Sequence, residues 1–238
     1  MVTLAATFAS TQPKGGRSLI ELAGRLEHVL LGPGVTPGEV DDACAGAVEA
    51  GLAAIMVRPG VVLRAVAASD GSHVEVVAAV GGSGTVPGGA RLGGARGAIA
   101  AGAGHLAVAI DPSRLRGGDL AALAGELAGI CHLAHAAGVH VRAVLEAHLL
   151  DGGELAAAAR LAIGAGADAL QTGFGVLAHA SSGQVLATRS ALPPRHAAVG
   201  VIAGGAGDAS AARELLERGG AWRVAVLDPA SVLRGVAV

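Results

Sequence analysis

Apolar positions along this chain fall into two alternating patterns. Short apolar runs of strand length occur at 26–31, 53–58, 74–80, 105–110, 139–145, 168–172, 199–203 and 222–227. Helical stretches separate them, and their ends are marked in the sequence. Thr36-Pro37-Gly38-Glu39 carries a capping box with proline at the first helical position, so a helix should run from Pro37 to about Ala50 and stop at Gly51. Asp151-Gly152-Gly153-Glu154 is a second box-like start, and Gly138 ends a helix that begins near Asp119. A further helix should follow Asp208, a short one should cover 18–24, and 229–238 should form a closing helix. Residues 1–16 read as a flexible leader, and 17–238 as one domain.

Strands that alternate with helices build parallel βα units, and eight such units predict a closed (β/α)8 barrel. An open, doubly wound sheet is the rival. Its dinucleotide fingerprint would place a Gly-rich turn directly after the first strand, and Leu31-Gly32-Pro33-Gly34-Val35 lacks that spacing. Gly81-Gly82-Ser83-Gly84 after the third strand, and Ser181-Ser182-Gly183 after the sixth, read as loops.

Composition agrees with a barrel. The 238 residues are 52% hydrophobic and 15% charged, which fills a large core, but there is no Tyr and only one Trp. Such a core packs small side chains at close range, which suits helix-on-sheet layers. A net charge of −2 argues against a nucleic-acid surface. No apolar run reaches membrane-span length, and no signal peptide is visible, so a soluble cytoplasmic protein is expected. Cys44 and Cys131 show neither disulfide nor metal spacing, and His132 with His135 reads as a helix-surface pair. No metal site and no cofactor is expected. Lys14 is the only lysine in the chain.

Several segments, in order, resemble the class I deoxyribose-phosphate aldolases. They are Leu26-Glu27-His28-Val29-Leu30-Leu31-Gly32-Pro33, Val57-Arg58-Pro59, Ala98-Ile99-Ala100-Ala101-Gly102-Ala103, Val144-Leu145-Glu146, Ala165-Gly166-Ala167-Asp168 and Val199-Gly200-Val201-Ile202-Ala203-Gly204-Gly205. The resemblance spans about residues 26 to 235 and implies the same barrel. It also shows what is missing. Gln171 stands where the family has its Schiff-base lysine, Ile202 where it has a second lysine, and Ala107 where it has a strand-four aspartate. Glu27 keeps a carboxylate on strand one, Glu146 keeps the family's residue, and Arg142 replaces a lysine. A primary amide cannot form an imine, and arginine cannot serve as an amine nucleophile.

The family's phosphate-cradling end changes as well. Its Ser-Gly-Gly turn becomes Gly204-Gly205-Ala206, an arginine just beyond becomes Asp208, and a serine pair becomes Leu227-Asp228. Carboxylates there would repel a phosphate, so the ligand should not be a sugar phosphate.

Strand parity places Glu27, Arg58, His105, Arg142, Glu146 and Gln171 in the barrel or at its mouth, with His28 and His148 flanking. Glu27 beside His28, together with Arg142, Glu146 and Gln171, forms the candidate catalytic set. Glu27 and Glu146 would move protons, while Gln171 and Arg142 would hold an oxyanion. Arg58, Gly205, Asp208 and Asp228 form the candidate substrate-binding set. Each has a structural reading beside the chemical one: Arg142 with Glu146 as an ion pair inside the barrel, His105 as packing at its bottom, Gln171 as filler.

The expectation is therefore a barrel that works without a Schiff base. It would carry out lyase, cyclase or isomerase chemistry on a small carbonyl substrate, in specialised metabolism. The alternative is a non-catalytic barrel binding a metabolite or partner protein. The resemblance suggests a homodimer.

Overall fold

The computed structural model describes residues 19–82 and 88–235. Helix α1 (Leu19–Ala23) leads into β1 (Leu26–Leu30), α2 (Pro37–Ala50), β2 (Ala54–Val57), α3 (Val62–Ala68) and β3 (Glu75–Val80). Then come α4 (Gly88–Ala100), β4 (His105–Ala109), α5 (Pro112–Arg116), α6 (Leu120–Ala136), β5 (His140–Val144) and α7 (Gly152–Gly164). The last third holds β6 (Ala169–Gln171), α8 (Ser182–Ser190), β7 (Gly200–Gly204), α9 (Ala209–Glu217), β8 (Arg223–Val226) and α10 (Pro229–Arg234). All strand pairs are parallel, and the sheet closes in chain order with β8 paired to β1. This is the expected (β/α)8 barrel. The leader with Lys14, and Ser83 and Gly84 of the Gly-rich loop, lie outside the described residues.

Local chemistry explains the element ends. The Thr36 hydroxyl accepts from the Glu39 N–H while Glu39 accepts from the Thr36 N–H, and Gly51 closes α2 at φ 69°. Asp151 and Glu154 exchange the same two bonds at the start of α7. The 181–183 segment differs from its reading as a loop. Ser181 is an N-cap, and its box with Gln184 starts α8. Gln184 offers the same acceptor as a glutamate without the charge, so the Ser-x-x-Gln signal is the quieter form of the motif. Among the described residues, no helix is long and apolar enough to cross a membrane.

Side chains on the strands divide by parity. Leu26, Ile55, Val57, Leu106, Val141, Leu170, Val201 and Val224 face the helices and join the main core. The interior is filled in two levels. Towards the mouth, Met56, Val77, Val144 and Phe174 fill the room left by Ala54, Ala79, Ala107 and Ala109. Val29, Ala169, Ile202 and Ala225 pack beside them.

The lower level is charged. Nη1 of Arg142 lies 2.8 Å from Oε1 and 2.7 Å from Oε2 of Glu27, which is wholly buried. Arg223 reaches Glu27 at 3.4 Å and Glu75 at 2.5 and 3.2 Å, and its guanidinium sits 4.1 Å over the Trp222 ring. His105 Nε2 stands 3.3 Å from Glu75, and its ring packs on His140 at 5.2 Å. Burial raises the Glu75 carboxyl, but bonds from Arg223 and the charges of Arg223, His105 and Arg142 outweigh it and hold the group below the usual carboxylate range. Burial, helped by Arg142 and His140, drives His105 down to about 4 against the pull of Glu75.

Two predictions follow from this level. Arg142→Met strips Glu27 of its nearest partner, which should cost about 3 kcal/mol or more in urea unfolding, while Glu27→Leu/Arg142→Met together should recover most of it. If the double variant is no more stable than the single one, the pair does not act as a mutual neutraliser. The second concerns pH. A depressed histidine gives stability that is full above its ordinary value of 6.5 and is lost as pH falls toward about 4, after which the depressed Glu75 carries the loss further. His105→Gln should flatten the upper part of that decline and leave the lower part. An unchanged profile would count against it.

Candidate functional site

The mouth of the barrel is organised by one residue held off the regular strand path. Leu145 donates its N–H to the Gln171 carbonyl at 2.9 Å, and Ala147 donates to the Thr172 carbonyl at 2.6 Å. With both neighbours pinned to the end of β6, Glu146 is forced into left-handed backbone at φ 49°, ψ 53°. It is the only non-glycine residue with positive φ among the described residues. Such a conformation costs roughly 1–2 kcal/mol, and it swings the Glu146 side chain out of the sheet to lie under the loop that follows β6.

There the carboxylate is buried. Oε1 accepts from the Phe174 N–H at 3.3 Å, and Oε2 lies 3.4 Å from Nδ1 of His148. Gly173 makes room for it, because a Cβ there would sit 3.1 Å from Oε2. Burial pushes the Glu146 carboxyl above its ordinary range, against the opposing effects of the Phe174 N–H and His148. One face opens into a cavity of about 170 Å³ lined by Leu31, Gly82, Glu146, Phe174, Val176 and Leu177.

The other expected catalytic residues do not join it. Glu27 and Arg142 are bound to each other in the lower level, and Arg142 lines a separate recess of about 20 Å³ with His105, His140 and Trp222. The expected Arg142–Glu146 ion pair does not form, because Glu27 takes the guanidinium. Glu27 and His28 are not a dyad either. Adjacent strand residues face opposite sides of a sheet, so Glu27 points inward while His28 lines a groove between α2 and α10 with Leu227 and Asp228. Burial holds the His28 imidazole below its usual range there, against the pull of Asp228 and a backbone bond with Leu227. Gln171 is wholly buried and spends its amide N–H on the Gly173 carbonyl at 2.7 Å. It braces the loop with that bond.

The expected substrate-binding residues have local partners too. Arg58 donates to the Pro33 and Val35 carbonyls and fastens the loop after β1. Asp208 caps α9 through the Ala211 N–H at 2.8 Å, and Asp228 caps α10 through the Ser231 N–H at 2.9 Å. Gly205 gives its N–H to the Ala225 carbonyl at 2.7 Å, so that donor is not free to cradle an anion. The turn is also covered: a Cβ at Gly204 would fall 1.9 Å from the Gly173 carbonyl oxygen, and one at Gly205 would fall 2.8 Å from His179 Cδ2.

Sequence reasoning missed Glu75 and Arg223 in the charged level and His179 over the turn. The same parity rule that selected Glu27 and Arg142, applied to β3 and β8, would have found the first two. Nothing in the local pattern points to His179.

Gln171, Ile202 and Ala107 are each buried in the barrel, and no lysine occurs among the described residues. No family model matches the chain. It is 30% identical over 216 residues to the deoxyribose-phosphate aldolase of Brevibacillus brevis, covering 88% of this chain and 94% of that one. It is 31% identical over 213 residues to that of Natronomonas pharaonis, covering 90% and 94%. Among solved structures, the tetrameric deoxyribose phosphate aldolase of Aeropyrum pernix superposes with a TM-score of 0.80 at 25% identity over 91% of each chain. By relatedness along nearly its whole length, and by a barrel of matching topology, the chain belongs to the deoxyribose-phosphate aldolase family.

Proposed function

We propose that this barrel is an enzyme of the aldolase family that works without an imine. It would move a proton on a small, unphosphorylated carbonyl compound by lyase, cyclase or isomerase chemistry. The observation that carries the reading is Glu146, a buried carboxyl held above its ordinary range at the edge of an apolar cavity at the barrel mouth. Burial keeps such a group protonated to higher pH than an exposed glutamate, so it can donate to a carbonyl or departing hydroxyl oxygen. The resulting carboxylate then takes the proton released from the neighbouring carbon, and His148 at 3.4 Å connects it to solvent. The step needs no cofactor. The two buried free thiols, Cys44 and Cys131, suit a reducing cytoplasmic setting.

A second reading, a non-catalytic barrel that binds a small metabolite, draws on a specific observation. Phe174 and Ile202 are buried below the mouth, and Glu146 and Arg142 line separate cavities.

Two experiments test the proposal. Glu146→Gln should lower kcat/KM about 10²-fold or more without loss of folding, and wild-type activity should fall as pH rises through the raised Glu146 pKa. Turnover retained in that variant would remove Glu146 from the chemistry. Borohydride reduction in the presence of candidate aldehydes should leave no stable adduct on the protein. A trapped adduct at Lys14 would restore an imine mechanism.

A further inference from the structure

We infer that the mouth cavity selects an uncharged, apolar carbonyl compound, a ring or short branched ketone or aldehyde, and discriminates against phosphorylated and polyhydroxylated ones. This rests on the reading of Glu146 as the proton donor and adds the class of molecule it serves. The lining is the first ground. Leu31, Phe174, Val176 and Leu177 supply the walls, Gly82 supplies backbone, and Glu146 is the single polar side chain among them. A sugar would bury several hydroxyls against one partner, and each unmatched group would cost free energy. Among the described residues of this lining, a phosphate would meet a carboxyl and no cation.

Size is the second ground. About 170 Å³ holds about six water-sized groups, which a five- to seven-membered ring fills. Val176 and Leu177 are half or more exposed, 50% and 66%, and form an apolar rim that such a ring would cover.

The third ground is the state of the turn after β7. In an open turn, successive backbone N–H groups form a concavity for anions. Here the Gly205 N–H is spent on Ala225, the Gly173 carbonyl lies against Gly204, and His179 covers Gly205. The remaining recess beside His148, Thr172 and His179 measures about 10 Å³, too small for a phosphate group. Among the described residues, polar recognition of the far end of a substrate therefore has no open place at this turn, and shape with apolar contact sets specificity.

Calorimetric titration of the full chain at neutral pH with cyclopentanone, cyclohexanone, cycloheptanone and deoxyribose phosphate tests this. Affinity should rise along the ketone series, by up to roughly four-fold per methylene, and deoxyribose phosphate should bind more weakly than any of them. Val176→Asp and Leu177→Asp, both at the exposed rim, should weaken the ketones about ten-fold or more with unchanged unfolding midpoints. Glu146→Gln should keep binding within a few-fold, because the apolar walls supply most of the contact. Deoxyribose phosphate binding as tightly as the ketones, or rim variants that bind normally, would overturn the inference. Ketone binding as expected, with full turnover in Glu146→Gln, would overturn the proton-donor reading and leave the substrate class standing.

Discussion

The parity of a closed parallel barrel governs this molecule. Each strand can send only alternate residues inward, so the interior has few positions, and any charge placed there must find its partner across the barrel. Glu27, Arg142, Arg223 and Glu75 meet that condition by neutralising one another near the bottom. That solution binds them to one another. Glu146, the carboxyl that the proposed function uses, escapes the constraint by leaving the strand: pinned on both sides to β6, it turns through left-handed backbone and reaches the mouth from the loop.

The fold was legible because several independent signals agreed. Capping boxes at Thr36 and Asp151, glycines at 51 and 138, and eight apolar runs of strand length all pointed to one architecture. The site was legible only in part. Parity identified which residues face inward, and it placed Glu27, Arg142 and Gln171 correctly inside. It could not say which of them bond to each other, since that depends on register and strand tilt between residues such as Glu27 and Arg142, 115 positions apart. Nor could residue type separate a helix cap from a ligand contact. Asp208 and Asp228 stand where a bound anion would be repelled, and their first duty is to the N–H groups of their own helices.

The departures from the family pattern are mechanically connected. Where the resemblance places two amines and an aspartate, this chain has Gln171, Ile202 and Ala107; Ala107 packs in one cluster with Phe174, and Gln171 holds the Gly173 carbonyl of the same loop. The same loop then lays the Gly173 carbonyl and His179 against the Gly204–Gly205 turn. Restoring a single lysine at 171 or 202 would therefore put a charged amine beneath Phe174 in a space already filled, with no aspartate at 107 to pair it. The cost of burying that charge falls on the fold before any imine could form. An interior packed in this way retains the aldolase scaffold and, under the function proposed above, moves the usable chemistry upward, onto a carboxyl held by the loop.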